Sequence, residues 1–218
     1  MKYLASKQID PRLFDRVISD PDRAIRDLGQ VLKHDSTTTV AKLEQSGQRW
    51  VIKRYNTKNP WHAFRRTVQR SRAANCWHMS ARLAAAGVSV PAPLAYLEKR
   101  AGPLRGISYF VYEYVDADDL LTYMTTHTDA AVTDCVLQNV IDTFKALYAS
   151  GINHGDMKAT NLMVRGDRSI TLIDLDASAK PGSAETFRRF YAKDRSRFMQ
   201  NWRNRPDLLE RFERTIPR

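Results

Sequence analysis

The residues of this sequence whose types and spacing are suited to chemistry are two acids and an amide. Residues 154–161 are His-Gly-Asp-Met-Lys-Ala-Thr-Asn, and Asp174 ends the next apolar run. In phosphoryl transfer, a carboxylate orients and deprotonates the attacking hydroxyl, while carboxylate and amide oxygens hold Mg²⁺ on the phosphates of a nucleotide. We therefore predict that Asp156 is the base and that Asn161 and Asp174 bind Mg²⁺. The alternative is a chance turn without a role.

Short apolar segments around these residues are expected to bring Asp174 back toward Asn161. Residues 162–164 and 170–173 are typical of two β-strands, and residues 166–169 (Gly-Asp-Arg-Ser) are typical of the turn that joins them. A loop, a hairpin and a return would place Asn161 and Asp174 at one metal. Lys158, close after the base, can reach the γ-phosphate and offset its charge.

The same residues resemble the catalytic loop (His-Arg-Asp-x-x-x-x-Asn) and the metal-binding Asp-Phe-Gly of protein-kinase-like folds. Gly155 replaces the Arg, and Asp-Leu-Asp at residues 174–176 replaces Asp-Phe-Gly. In both respects the sequence is similar to the bacterial lipopolysaccharide core kinases, which phosphorylate heptose or Kdo sugars. Residues 189–198 (Arg-Phe-Tyr-Ala-Lys-Asp-Arg-Ser-Arg-Phe) also resemble a segment of that family, and the resemblance covers roughly residues 30–200.

The resemblance implies an α+β fold, a two-lobed protein-kinase-like fold with ATP and Mg²⁺ as cofactors. A small antiparallel-sheet N-lobe, with one helix, would cover residues 30–115, and a reduced helical C-lobe would cover residues 116–218. Residues 1–29 would be an N-terminal extension of unknown role. ATP would lie between the lobes, and Asp176 would support the metal or bind a second one.

Lys53 stands at the centre of a β-branched and aromatic run, residues 49–55. A lysine in a strand otherwise suited to burial is unfavourable unless its charge meets a partner. By resemblance, Lys53 contacts the α- and β-phosphates of ATP. The alternative is the solvated face of an edge strand. Residues 39–44 would pair with this strand through a turn at Ser46 and Gly47.

Two further segments are candidates for contacts with the nucleotide. Ser36, Thr37 and Thr38 form a polar turn without the Gly-x-Gly-x-x-Gly pattern. Its backbone N–H groups and hydroxyls can bind phosphates, or it is an ordinary polar turn. By resemblance, the end of a predicted strand at residues 107–114 is the hinge, where backbone groups of Glu113 and Val115 pair with the adenine edge.

Residues 61–86 are predicted to form one long helix that ends at Gly87. In an active kinase such a helix supplies a Glu that pairs with the strand Lys, but this segment contains no acidic residue. By resemblance, Cys76 stands at the position of that Glu. Three interpretations stay open: another carboxylate reaches Lys53, the nucleotide alone holds Lys53, or the protein is a weakened or inactive kinase.

The net charge of +11 is concentrated in residues 61–86 and 177–218. Such a field favours an anionic partner, which we expect to be a sugar or glycolipid substrate, with peripheral contact at the inner membrane surface. Nucleic acid is not expected, because the sequence contains no zinc-ligand spacing or RNA-recognition signature. Two distant cysteines and the lack of a long apolar run argue against a disulfide scaffold and a membrane span. A cytoplasmic location is therefore predicted.

The region after Asp176 distinguishes between types of kinase. It predicts a loop and two short helices, residues 184–202 and 206–215, and contains no Ala-Pro-Glu. A compact acceptor is favoured over a docked polypeptide. We therefore predict a kinase that transfers the γ-phosphate of ATP to a sugar hydroxyl of the lipopolysaccharide inner core. The alternatives are a small atypical Ser/Thr protein kinase and a pseudokinase that acts as a binding module.

Overall fold

A computed structural model describes residues 1–7, 9, 11–45, 47–56, 70–101, 104–127 and 129–218. These residues form two compact units. The first comprises Met1–His78 and Ala92–Tyr114, and the second comprises Met79–Pro91 and Val115–Arg218. The domain boundaries predicted from the sequence, 1–29, 30–115 and 116–218, stay a prediction.

An antiparallel sheet with the strand order β1-β5-β6-β4-β3-β2 organises the first unit. Its strands are β1 (Lys2–Ala5), β2 (Gly29–His34), β3 (Thr38–Gln45), β4 (Gln48–Tyr55), β5 (Pro93–Ala101) and β6 (Leu104–Glu113). The predicted strands at residues 39–44, 49–55 and 107–114 therefore form, with small changes of their ends. Gly47 has φ +76° in the turn between β3 and β4, while Ser46 lies outside the described residues.

Strand β4 lies between β6 and β3, so Lys53 is not on an edge strand. In the strand register, Lys53 is opposite Val40 of β3 on one side and Phe110 of β6 on the other. Only 8% of Lys53 is exposed to solvent. The interpretation of Lys53 as the solvated face of an edge strand is therefore wrong. The aliphatic neighbours in β4, Val51 and Ile52, are buried as well.

The N-terminal segment packs into the core of the first unit. Helices α1 (Pro11–Ser19) and α2 (Pro21–Leu28) contribute Val17, Ala24 and Ile25 to the cluster that also buries Trp50 and Tyr109. Asp20 caps α2, since its carboxylate accepts a hydrogen bond from the backbone N–H of Arg23.

An ion-pair network ties α2 to the sheet. The two oxygens of Asp22 pair with Arg54 of β4 at 2.7 Å and with Lys99 of β5 at 2.9 Å. Arg54 follows Lys53 directly. The N-terminal segment therefore helps to hold the strand that carries Lys53, a role that the sequence did not reveal.

The helix predicted at residues 61–86 is only partly correct. In the structure, α3 spans Arg72–Ala85, while Arg70 and Ser71 are not helical. The Ser71 hydroxyl accepts a hydrogen bond from the backbone N–H of Ala74 at 3.1 Å, so Ser71 caps the start of α3. The predicted positions 61–69 lie outside the described residues.

Helices and a small sheet make up the second unit. The helices are α4 (Leu120–Thr126), α5 (Ala130–Ser150), α6 (Ala184–Met199) and α7 (Pro206–Thr215). The sheet contains β7 (Asp118–Asp119), β8 (Leu162–Val164) and β9 (Ile170–Leu172) in sequential order. Short 3₁₀ turns occur at Ala159–Asn161, Leu175–Ala177 and Gln200–Trp202. The helix predicted over residues 184–202 therefore ends earlier, at Met199, and continues as a 3₁₀ turn.

Aromatic side chains form the core beneath α6. Phe198 is fully buried and lies between Phe144 of α5 and Phe212 of α7, with ring centroids 4.8 and 4.9 Å away. Trp202 packs against Phe198 in the same cluster. This packing fixes α6 against its neighbours within the second unit. Among the described residues, no helix is both long and apolar enough to cross a membrane.

Candidate active site

A loop with little regular structure carries Asp156. It follows Gly151, which ends α5 in the left-handed conformation, and precedes the 3₁₀ turn at Ala159–Asn161. Backbone hydrogen bonds of 3.0 Å in both directions pair Asn153 with Ala179. The start of the loop is thereby held by the segment that follows Asp174.

The carboxylate of Asp194, in α6, holds the loop that carries Asp156 in place. This buried carboxylate accepts hydrogen bonds from the backbone N–H of His154 at 2.7 Å and of Gly155 at 2.9 Å. Burial raises the pKa of the Asp194 carboxyl above its usual value, and the Gly155 N–H acts against that shift. No role was predicted for Asp194 from the sequence, although Asp194 lies in the segment that resembles the lipopolysaccharide kinases.

Gly155 is required by the conformation of the loop. Its φ is +83°, in the region that side chains of L-residues rarely adopt. A Cβ at this position would lie 2.5 Å from the carbonyl oxygen of Ala177, well inside van der Waals contact. The close approach of the Ala177 backbone therefore explains why this position has a glycine where the protein-kinase pattern has an Arg.

His154 and Asn161 together place Asp174. The Nε2 of His154 donates to the carbonyl of Ile173 at 2.9 Å, and the N–H of Ile173 donates to the carbonyl of Asn161 at 2.9 Å. Both backbone groups of Ile173 are thus bound to the catalytic loop. Asp174 follows with φ +61° and is half-buried. The predicted return of Asp174 to the neighbourhood of Asn161 is seen in these backbone contacts.

The side chains of Asn161 and Asp174 have donor atoms that suit Mg²⁺, and their assignment as metal ligands stays a prediction. The Nδ2 of Asn161 donates to the carbonyl of Asp156 at 2.8 Å, so its Oδ1 is the atom placed to bind a cation. No group of three His, Cys, Asp or Glu that could hold a metal occurs in the described part of the chain. Magnesium sites in phosphoryl-transfer enzymes commonly use one or two carboxylates together with substrate phosphates. Half-buried Asp176 lies in the 3₁₀ turn just after Asp174.

Two cations flank the carboxylate of Asp156. Lys158 Nζ lies 3.1 Å from Oδ2, and Arg197 Nε lies 2.7 Å from Oδ1. The Asp156 side chain is 27% exposed, and its partners are 40% and 49% exposed. Oδ1 is itself buried, so Oδ2 is the oxygen of this carboxylate that a substrate hydroxyl can reach. Roles for Asp156 and Lys158 were predicted from the sequence, whereas none was predicted for Arg197.

The turn after α6 makes a further contact with the loop that carries Asp156. The Oδ1 of Asn201 accepts a hydrogen bond from the N–H of Ala159 at 2.6 Å. Asn201 lies in the Gln200–Trp202 turn, next to buried Trp202. The aromatic core therefore supports the catalytic loop at a second point.

In the first unit, Lys53 lies beside an aromatic ring. Its Nζ is 5.4 Å from the ring centroid of Tyr55, and the guanidinium carbon of Arg72 is 4.7 Å from the same centroid. The Tyr55 hydroxyl and the Cys76 sulfur are 3.4 Å apart. Cys76, at the position expected for the helix Glu, is buried and contacts the residue that packs against Lys53.

The predicted phosphate turn makes internal hydrogen bonds. The N–H and hydroxyl of Thr37 and the N–H of Thr38 donate to Oδ1 of Asp35 at 2.7–2.9 Å. The hydrogen bond from the Thr37 hydroxyl, followed by that from its N–H, holds the pKa of Asp35 well below its usual range. A phosphate would have to compete with this carboxylate, so the assignment of Ser36, Thr37 and Thr38 stays a prediction.

The hinge candidates lie where β6 ends. The N–H of Glu113 donates to the carbonyl of Ala92 at 3.0 Å, and the N–H of Tyr114 donates to the carbonyl of Arg49 at 3.0 Å. Val115 is buried. The adenine contacts of Glu113 and Val115 stay predictions.

Replacement of Gly155 tests the geometry of the catalytic loop. Gly155→Ala adds a Cβ that clashes with the backbone at Ala177, so the loop must move. We expect kcat for phosphoryl transfer to fall about 100-fold, the effect of a displacement of about 1 Å in a catalytic group. Gly166→Ala is the control, since no atom lies within 4 Å of its added Cβ. Equal activity of the two variants would contradict the account.

Replacement of Tyr55 tests whether the ring positions Lys53. Tyr55→Leu removes the aromatic face, and we expect ATP affinity, measured by calorimetry, to fall about threefold to thirtyfold. Tyr55→Phe keeps the ring and should bind ATP about as the wild-type protein does. Thermal melting checks that both variants fold. Unchanged affinity in a folded Tyr55→Leu variant would show that the ring does not matter to Lys53.

Comparisons with known proteins identify relatives of this chain. The model of the lipopolysaccharide kinase (Kdo/WaaP) family matches residues 25–202. Two 3-deoxy-D-manno-octulosonic acid (Kdo) kinases of Vibrio vulnificus are among the relatives. The protein of strain CMCP6 is 24% identical over 59% of this chain and 56% of its own length, and that of strain YJ016 is 23% identical over 66% and 63%. The chain thus matches less than two thirds of the length of either relative.

A solved structure shows the fold. WaaP in complex with acyl carrier protein superposes with a TM-score of 0.65, over 98% of this chain and 92% of that chain, at 19% identity. The predicted α+β, protein-kinase-like fold is confirmed. Since the family model covers most of the sequence, including every predicted site residue, this chain belongs to the lipopolysaccharide kinase (Kdo/WaaP) family.

Proposed function

We propose that this chain transfers the γ-phosphate of ATP to a hydroxyl of an inner-core sugar of lipopolysaccharide, and that Kdo is favoured over heptose. The observation that carries the proposal is the accessible Asp156 carboxylate on a loop whose backbone contacts also place Asn161 and Asp174. The preference for Kdo follows from the two relatives, both of which are Kdo kinases.

The mechanism begins with the acceptor hydroxyl. Asp156 accepts a hydrogen bond from this hydroxyl and directs the hydroxyl oxygen toward the γ-phosphorus of ATP. As the new O–P bond forms, the bond between the γ-phosphorus and the β-phosphate oxygen breaks, ADP leaves with that oxygen, and Asp156 takes up the hydroxyl proton. Phosphoryl transfer proceeds through a loose transition state, so positioning contributes more than proton removal. The fixed loop that Asp194 holds matches this requirement.

Lys158 and Arg197 hold the Asp156 carboxylate in place before the substrates bind. In the proposed complex, Lys158 moves to the γ-phosphate and offsets its negative charge. Arg197 then maintains the orientation of Asp156. A residue that donates to a transferring phosphoryl group stabilises the charge that develops on its oxygens.

Nucleotide binding is assigned to residues of the first unit and to Val115. Lys53 would contact the α- and β-phosphates, and Ser36, Thr37 and Thr38 would contribute N–H groups or hydroxyls. Backbone groups of Glu113 and Val115 would pair with adenine. Low exposure of Lys53 supports its part of this assignment, because a desolvated ammonium binds phosphate more strongly than an exposed one.

Mg²⁺ would be held by Asn161 and Asp174, with Asp176 as a further acid. When bound, the ion neutralises phosphate charge. The chain's part is to fix the ligands: the Asn161 amide is oriented by the Asp156 carbonyl, and Asp174 by the two hydrogen bonds of Ile173.

A peripheral location at the inner membrane surface is part of the proposal. The acceptor sugar is attached to lipid, so the acceptor site must come near the bilayer. Exposed basic residues of α6 and the turn after it, including Arg189 and Arg203, would interact with anionic head groups.

Replacement of the base tests the proposed function. With purified protein, ATP, Mg²⁺ and a Kdo glycoside, we expect wild-type protein to form a phosphorylated sugar that ³¹P NMR detects. Asp156→Asn keeps the shape of the side chain but cannot accept the proton, so turnover should fall about 10²–10⁴-fold. ATP affinity should stay unchanged. Asp167→Asn, in the exposed β8–β9 turn, is the control.

Two outcomes would contradict the proposal. Wild-type turnover in Asp156→Asn would remove the base assignment. A wild-type protein that binds ATP but phosphorylates neither Kdo nor heptose glycosides would point to a different acceptor or to the pseudokinase alternative.

A further inference from the structure

An open cavity of about 820 Å³ lies beside the catalytic loop, within the second unit. Its wall includes three basic side chains and three uncharged polar ones: Lys158, Lys193, Arg197, Ser196, Gln200 and Asn201. Two of these, Lys158 and Arg197, are the partners of Asp156. The cavity is therefore next to the carboxylate that is proposed to receive the acceptor hydroxyl.

Basic side chains outnumber acidic ones in the wall of this cavity. The acidic residue in its wall, Asp194, is only 3% exposed, and its oxygens accept hydrogen bonds from the loop backbone. Its carboxylate is thus turned away from a ligand. Lys193 is exposed and lies 5.9 Å from the Phe190 ring centroid, and no acidic partner of Lys193 occurs among the described residues. Anions are favoured in such a cavity and cations are not.

Helix geometry places the two outer cations side by side. Lys193 and Arg197 are four residues apart on α6, so they lie on one face of the helix. Arg197 binds Asp156 through Nε. A guanidinium carries five N–H donors in a planar fork, so donors remain for a second, anionic group.

We propose that Lys193 and Arg197 bind a negatively charged group of the acceptor sugar and thereby select anionic over neutral acceptors. The inference rests on the proposed function and names the substrate class of the same site. The charged group is an oxyanion: either the carboxylate of the sugar acid that is phosphorylated, or a phosphate on the neighbouring sugar. Ser196 and Gln200 are placed to bind hydroxyls of the same sugar ring.

A simpler explanation is that these cations form an ordinary solvated helix face. Arg188 represents that case, because it is exposed on the same helix and does not belong to the cavity wall. Lys193 and Arg197 differ from it by their position beside Asp156. The experiment therefore compares substitutions on the two faces of α6.

The test measures affinity and turnover for three acceptors. They are a Kdo methyl glycoside, its carboxylate methyl ester, and that ester linked to a phosphorylated glucosamine. Acceptor affinity is measured by calorimetry without ATP, and KM and kcat are measured with ATP and Mg²⁺. The wild-type protein and the variants Lys193→Gln, Arg197→Gln and Arg188→Gln are compared, and thermal melting verifies that each variant is folded.

We expect wild-type protein to prefer the anionic acceptor over the neutral ester by about tenfold, a value within the range of one charge-assisted hydrogen bond. Lys193→Gln should reduce this preference to about twofold or less by raising KM, with kcat nearly unchanged. Arg197→Gln should lose the preference and also lower kcat, because Arg197 orients Asp156. Arg188→Gln should behave as wild-type protein.

The outcomes separate the two possible sources of charge. If the wild-type protein prefers the free acid over the neutral ester, Lys193 and Arg197 bind the carboxylate of the sugar acid. If it prefers the phosphorylated ester over the neutral ester, they bind the phosphate on the neighbouring sugar. An unchanged preference in both Lys193→Gln and Arg197→Gln would overturn the inference while leaving the proposed function intact. If wild-type protein phosphorylates none of the three acceptors, the proposed function fails and the inference fails with it.

Discussion

The buried carboxylate of Asp194 is the interaction on which the arrangement of the candidate active site depends. It accepts hydrogen bonds from two consecutive backbone N–H groups, those of His154 and Gly155. Burial of an acid is costly unless its oxygens are satisfied, and these N–H groups satisfy them. In return, the loop is held directly before Asp156. The other contacts of the loop build on this anchor, since His154 fixes the segment that leads to Asp174.

One helix has two roles in the second unit. Toward the interior, α6 carries Asp194 and the aromatic side chains that pack on Phe144 and Phe212. Toward solvent, it carries Lys193 and Arg197, which line the cavity next to Asp156. The proposed base and the proposed acceptor contacts are therefore fixed by the same rigid element. Such an arrangement suits phosphoryl transfer, in which positioning dominates catalysis.

The sequence predicted most of the features that depend on neighbouring residues, and few of the contacts between residues that are distant in the chain. The expected return of Asp174 toward Asn161 came from the spacing of these residues and from the strands around them, which are local patterns. The role of Asp194 was missed because its partners are about forty residues earlier, and no local pattern reveals such a contact. The pairing of β1 with β5 and the packing of α1 and α2 in the core of the first unit were missed for the same reason. The start of α3 after Ser71 was missed because apolar periodicity outweighed the capping signal of one serine.

Phosphoryl transfer by Asp194→Asn tests the central claim most directly. The amide keeps the size of the side chain, but its NH₂ group cannot accept the hydrogen bonds that the carboxylate accepts, so the loop should lose its anchor. We expect kcat to fall about 100-fold or more with ATP affinity nearly unchanged, and we expect no such loss in Asp207→Asn, an exposed acid of α7. An Asp194→Asn protein that is folded and turns over like wild type would contradict the account.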